Sequence, residues 1–132
     1  MTGYAIVIAT DEFEKITAAS VISSIAAASD IPVEIFVTMN GLQAFERETV
    51  ETKDFNTGAL GEAMLENEEA EVPLFTEQFE DAKAIGDMGL YACTMAMDMW
   101  GKTLDDYVDL FDDELGVSGF LNKAADKQVI FI

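Results

Sequence analysis

Tyr4-Ala-Ile-Val-Ile-Ala9 is a continuous apolar run, the pattern of a strand covered on both faces rather than one. Behind it, Asp11-x-x-Glu14 predicts a capping box that opens a helix reaching to about Ser29. Ile16, Ala19, Ile22, Ile25 and Ala26 recur at helical spacing and predict the buried face of that helix. The alanines and serines between them permit close packing on a sheet. Asp30-Ile-Pro32 ends the helix, and Val33-Glu-Ile-Phe-Val-Thr38 predicts a second strand. Strand, crossover helix and strand form a βαβ unit, whose strands should be parallel with a right-handed connection.

Further along, Asn40-Gly41 carries a hairpin signal, but Leu42-Gln-Ala-Phe-Glu is helical in composition and argues against a return strand. From about Glu46 to Val72 periodicity is poor and charge dominates, which predicts an acidic insertion with one short helix near Gly58–Glu66. Phe75, Phe79 and Ala82 then fall at i, i+4 and i+7, the apolar stripe of a helix ending at Gly86. Gly89–Ala92 predicts a short buried strand, Thr94–Trp100 a helix stopping near Gly101, and Thr103-x-x-Asp106 a capped turn. A last helix from Ser118 to about Ala125 precedes a closing strand, Gln128–Ile132. Four strands are placed in this way and a fifth is not. Alternating strands and helices predict a single-domain, three-layer α/β/α sandwich with a largely parallel sheet of four to five strands.

The charge balance is extreme: 26 Asp and Glu against 7 Lys and Arg, no histidine, and a net charge of −19. Such a surface repels phosphates and anionic lipid, so neither nucleic acid nor membrane is expected as a partner. No apolar run approaches the roughly 20 residues that span a bilayer. The opening Met1-Thr-Gly-Tyr shows no basic n-region, so the cytoplasm is the expected compartment. Carboxylates in place of lysines over an ordinary apolar core suggest adaptation to high salt, as in a halophile. Asp105, Asp106, Asp109, Asp112, Asp113 and Glu114 lack the spacing of a calcium loop and read as a solvated surface. With no imidazole and one thiol, no metal site is expected, and no cofactor motif occurs: Ile8-Ala-Thr-Asp11 has neither a dinucleotide fingerprint nor a P-loop lysine.

Cys93 is the only cysteine, so it has no partner for an intrachain disulfide. Its position between a strand and a helix puts it at the carboxyl edge of the sheet, where open α/β folds hold ligands. Helix amides there favour an anion and hence a thiolate. A small buried hydrophobe is the competing reading. Without histidine, Cys-His and Ser-His-Asp hydrolysis are excluded. What remains is chemistry open to one sulfur: a persulfide, a sulfenic acid, or a mixed disulfide with a partner. Met95, Met97 and Met99 alternate behind it, either as a soft rim around the sulfur or as adaptable core and interface packing.

Tyr91-Ala-Cys-Thr-Met-Ala-Met-Asp-Met-Trp-Gly101 resembles the cysteine motif of the DsrE/DsrF-like superfamily, and of its DsrE2-type branch, often labelled "peroxiredoxin-like". Val33–Leu42 resembles that branch's strand and glycine-leucine segment, and Gly116–Asp126 with Gln128–Ile132 its final helix and strand. The resemblance covers most of the chain outside about 46–72. It implies a five-stranded parallel α/β fold and a homo-oligomer, such as a trimer or hexamer, that carries sulfane sulfur between rhodanese-like and TusA-like donor and acceptor proteins. It implies Cys93 as the sulfur acceptor, with Thr94 and Met95 beside it. Asn40 and Gly41 at the neighbouring strand end, and Thr10 after the first strand, would line the same site. Thr10-Asp11-Glu12 stands where relatives have a Ser-Lys-Gly-like turn, so an anion site built on that lysine is not expected here.

Three readings follow: a sulfur carrier or sulfurtransferase working through Cys93, a non-catalytic oligomeric binding or scaffold protein, and a one-cysteine thiol peroxidase. The charge makes its own prediction. Screening should relieve self-repulsion, so the melting temperature is expected to rise as salt approaches molar concentration. A flat melting temperature across a salt series would remove the high-salt reading.

Overall fold

A computed structural model describes residues 2–67 and 73–132. The opening apolar run forms β1 (Tyr4–Ile8), followed by α1 (Phe13–Ala28) and β2 (Val33–Val37). β1 and β2 pair in parallel, with Ile6 opposite Ile35, as the βαβ reading requires. After β2 the chain makes a 3-10 turn over Met39–Phe45, so Asn40-Gly41 starts helical structure and not a hairpin. The segment read as an insertion holds two helices rather than one, α2 (Arg47–Thr52) and α3 (Ala59–Glu66); its last part, 68–72, lies outside the described residues. Then come α4 (Phe75–Ile85), β3 (Met88–Cys93), α5 (Thr94–Trp100), β4 (Asp113–Leu115), α6 (Val117–Ala124) and β5 (Gln128–Phe131). All five strands are parallel, in the order β4-β3-β2-β1-β5.

The fifth strand is β4, hidden in the acidic stretch read as solvated surface. It has no apolar run to betray it. Asp112 sets it in place by accepting bonds from the Leu90 amide (2.8 Å) and the Lys83 ammonium (2.8 Å). Two other acids of that stretch also hold structure: Asp109 pairs with Arg47, and Asp106 accepts from the Thr103 amide at 2.9 Å.

The capping box at the start of α1 does not form. Glu12 is the N-cap and its side chain makes no capping bond. Asp11 instead accepts from the Asn56 side chain (2.9 Å), and Glu14 accepts from the backbone amides of Gly58 (3.0 Å) and Gly61 (3.1 Å). Glu14 thereby caps α3 from another helix, and those two amides hold its carboxyl below the usual range. The buried face of α1 is also rotated from the one read. Ile16, Ala19 and Ala26 are inside, but Ile22 and Ile25 are 38% and 64% exposed, while Ser20, Ser23 and Ala27 are buried. Small residues win because α4 comes so close: a Cβ on Gly86 would lie 2.7 Å from the Ala27 Cβ. The serines tolerate burial by donating to the Thr17 and Ala19 carbonyls (2.7 and 2.8 Å).

Strand alternation divides the sheet into two unequal faces. Ile6, Ile8, Val33, Ile35 and Leu90 are fully buried on the face that carries α1 and α4. There Phe75 is wrapped by Phe13, Phe45, Phe55 and Phe79, with ring centroids 5.2 to 6.4 Å away. The opposite face carries α6, whose Phe120 stacks on Phe36 at 4.6 Å. The architecture is the α/β/α sandwich expected, with a thin second layer. Replacing Phe75 by Ala should cost about 3–5 kcal/mol, a large part of a total of about 5–15 kcal/mol. Urea unfolding of the Phe75→Ala variant checks this; a loss below 1 kcal/mol would mean that the cluster can collapse around the gap.

Candidate functional site at the carboxyl edge of the sheet

Parallel strands bring their carboxyl ends to one edge, so the segments after β1, β2 and β3 meet there. Val37 is level with Ala92, which sets Thr38 level with Cys93. On its other side Cys93 is level with Leu115 of β4. Cys93 ends β3 and is the N-cap of α5, yet it makes no side-chain capping bond. It is 0% exposed. The sulfur is thus at the expected place in the fold but inside the protein.

The other expected residues share this edge without all converging on the sulfur. Gly41 is buried, and its Cα packs against the end of β1: a Cβ there would meet the Ile8 carbonyl oxygen at 2.6 Å. Only glycine fits, which fixes the turn over the sheet. Asn40 is exposed. Thr94 is half-buried beside Cys93, and Met95 is 49% exposed. Met95 and Met99 share the outer side of α5 while Met97 is core, so the three methionines do not form one rim. Thr10 follows β1, two strands from β3, a separation of about 9–10 Å. Its hydroxyl donates to the Glu12 carboxylate and accepts from the Glu12 amide, both at 3.1 Å. It belongs to a local turn and is not brought to the sulfur.

Two features of the edge escaped the sequence reading. Thr38 is a buried polar residue level with the thiol, and it read simply as the last residue of an apolar strand. Trp100 donates its indole N–H to the Met39 carbonyl at 3.1 Å, tying the end of α5 to the turn after β2. Tyr107 lies fully buried beneath the same turn, its backbone bridged to Glu46. Burial pushes its hydroxyl up to about 12. An open cleft of about 340 Å³ lies beside these segments, lined by Asp11, Gln43, Glu46, Asp54 and Asn56 over the Phe55 ring. Cys93 does not line it. Among the described residues no group of three or more His, Cys, Asp or Glu is placed to hold a metal ion. Among the described residues no helix is long and apolar enough to cross a membrane.

The profile of the DsrE/DsrF/DrsH-like family matches residues 2–84, from β1 through α4. The chain belongs to that family. The matched stretch includes Thr10, Asn40 and Gly41 and stops short of Cys93. A comparison with curated proteins gave no match. Among solved structures the chain is similar to the protein of unknown function MTH1491 from Methanobacterium thermoautotrophicum. The similarity covers 100% of both chains at a TM-score of 0.67 and 12% identity. At that identity the likeness is one of fold, and it extends over β3, α5 and the thiol-bearing edge as well as the family-matched part.

A thiol this well buried reacts through local opening of the chain around it. Labelling of Cys93 by a disulfide reagent is expected to be at least about 100-fold slower in the native protein than in denaturant. Trp100→Phe keeps a ring but deletes the bond to Met39. It should speed native labelling about fivefold, the worth of one hydrogen bond of about 1 kcal/mol. Native labelling as fast as in the unfolded chain would place the thiol at the surface.

Proposed function

We propose that this protein is a sulfur-relay protein that accepts sulfane sulfur on Cys93 and passes it to a partner thiol. The observation that carries the reading is the position of the chain's single thiol. It closes β3 and opens α5 at the ligand-bearing edge of the sheet, in a member of the DsrE/DsrF/DrsH-like family.

One sulfur suffices for this chemistry. The Cys93 thiolate attacks the outer sulfur of a donor persulfide; the new S–S bond forms as the donor's own S–S bond breaks, and the donor leaves as a thiolate. An acceptor thiolate then attacks the outer sulfur on Cys93, which leaves as a thiolate in turn. No net oxidant is consumed. Rhodanese-like and TusA-like proteins have the chemistry of such donors and acceptors. Burial suits a persulfide by keeping water and oxidants away, but loading requires α5 to part from the turn over Met39–Phe45. The Trp100 bond to Met39 is the contact that such parting breaks.

A second reading, a non-catalytic binding module, draws on a specific observation. Cys93 is fully buried, and the cleft at the same edge is lined by carboxylates and amides instead. Intact mass after incubation with polysulfide separates the two, with Cys93→Ser alongside. Added sulfur on the wild type alone, reversed by reductant, is the expected result. An unmodified wild type under every donor, or equal loading of Cys93→Ser, would transfer the case to the binding module.

A further inference from the structure

α2 is strung between two firm anchors and is itself lightly held. Before it, Phe45 is fully buried in the cluster around Phe75, and its carbonyl accepts the Val108 amide at 2.9 Å. After it, Phe55 packs in the same cluster, with ring centroids 5.0 Å from Phe13 and 5.4 Å from Phe75. Between these rings no residue of α2 is buried. Val50 is the α2 side chain that packs against the core, and it does so only in part. A helix of six residues takes its stability from packing rather than from its own few hydrogen bonds. Here that packing is scarce.

The other tie is Arg47, the only arginine of the chain. Its Nε donates to the Asp105 carbonyl at 2.9 Å, and its Nη2 donates to the Asp109 carboxylate. Both aspartates lie between α5 and β4, so one guanidinium fastens α2 across to a distant segment. The Arg47 and Asp109 side chains are 44% and 88% exposed, and ion pairs so open to water are weak. Space lies on both sides of α2. Glu46 and Thr49 line the cleft of about 340 Å³ described above. Val50 lines a second of about 470 Å³, together with Thr76, Lys83, Val108 and Asp109. Adjacent residues of one short helix thus face two clefts, and α2 is the partition between them.

We propose that α2 is a lid, hinged at Glu46 and Lys53 and latched by Arg47, whose opening joins the two clefts into one crevice. Each hinge has a physical basis. The Glu46 backbone is bridged to Tyr107, which fixes the near end. At the far end Lys53 is held in the left-handed conformation, φ 55°, a strained setting for a residue other than glycine that opening relieves. Phe45 and Phe55 stay in the aromatic cluster while the segment between them moves. Cys93 lines neither cleft, so the lid is separate from the proposed sulfur site and does not depend on it.

Hydrogen exchange on the full chain, followed by NMR, tests this through the amides of Val50, Glu51 and Thr52. Ile35 and Val37 of β2 report on the core. The Val108 and Phe13 amides, bonded to the Phe45 and Asn56 carbonyls, report on the anchors. In the wild type the α2 amides should exchange at least about 100-fold faster than those of β2, once intrinsic rates are allowed for. The anchor amides should stay slow. Arg47→Met keeps an apolar stem but no donors; it should speed α2 about fivefold and leave β2 unchanged. Asp109→Asn retains the Nε bond to Asp105 and should give a smaller increase. α2 amides as slow as those of β2 overturn the proposal, as does an α2 rate indifferent to Arg47→Met. So does exchange of Val108 and Phe13 in step with α2, because the whole segment would then come loose and not a lid between fixed anchors.

Discussion

The packing of Phe75 ties together the segments that follow β1 and β2 at the carboxyl edge. Its ring is surrounded by Phe13 from α1, Phe45 from the end of the 3-10 turn, Phe55 from the loop between α2 and α3, and Phe79 from its own helix. The α1 start, the 3-10 turn and the loop before α3 are thus tied below to one aromatic cluster. Edge-to-face rings at these spacings add specific geometry to a large burial of apolar area. The turn after β2 can lie flat over the sheet because Phe45 anchors it at one end and Gly41 lets it touch β1 at the other. The helix that follows the thiol, α5, packs against that turn.

A second constraint is the scarcity of cations. With 26 acids and 7 bases, carboxylates cannot all find lysines, and several are used as hydrogen-bond acceptors for backbone amides instead. Glu14 caps α3 through Gly58 and Gly61 and Asp106 receives the Thr103 amide, while Asp112 receives the Leu90 amide in addition to its lysine, Lys83. Charge-assisted bonds of this kind are stronger than neutral ones and need no counter-ion from the chain. Burial works the other way at Glu34, on the α6 face, where desolvation pushes the carboxyl up against the pull of Lys123. The Lys123 ammonium lies 5.0 Å from the centre of the Tyr91 ring beside it. The helical layer on that face is thin, while the other face carries α1 and α4.

The strand and helix order was legible because the elements concerned bury whole faces. Tyr4–Ile8, Val33–Val37 and the Phe75, Phe79, Ala82 stripe could hardly be read otherwise. β4 was not legible: three residues with two carboxylates carry no periodic signal, and Lys83 and the Leu90 amide hold the strand from outside it. Asp11 and Glu14 had the right spacing for a local cap and were drawn off by Asn56, Gly58 and Gly61, which are more than 40 residues away in sequence. The site was legible in outline. Cys93 and Gly41 stand where their neighbours in sequence said, while Thr10 turned inward to its own loop and Thr38 gave no signal at all.

Sequence alone determined the parallel α/β class, the place of Cys93 between strand and helix, and, by resemblance, membership of the DsrE/DsrF-like family. These are local or periodic properties, set by which residues recur at spacings of two and 3.6. Tertiary structure alone decided which face of α1 is buried, which carboxylates hold amides, and whether the thiol meets solvent. Each of those depends on what a distant segment brings within a few ångströms, and no spacing along the chain encodes that distance.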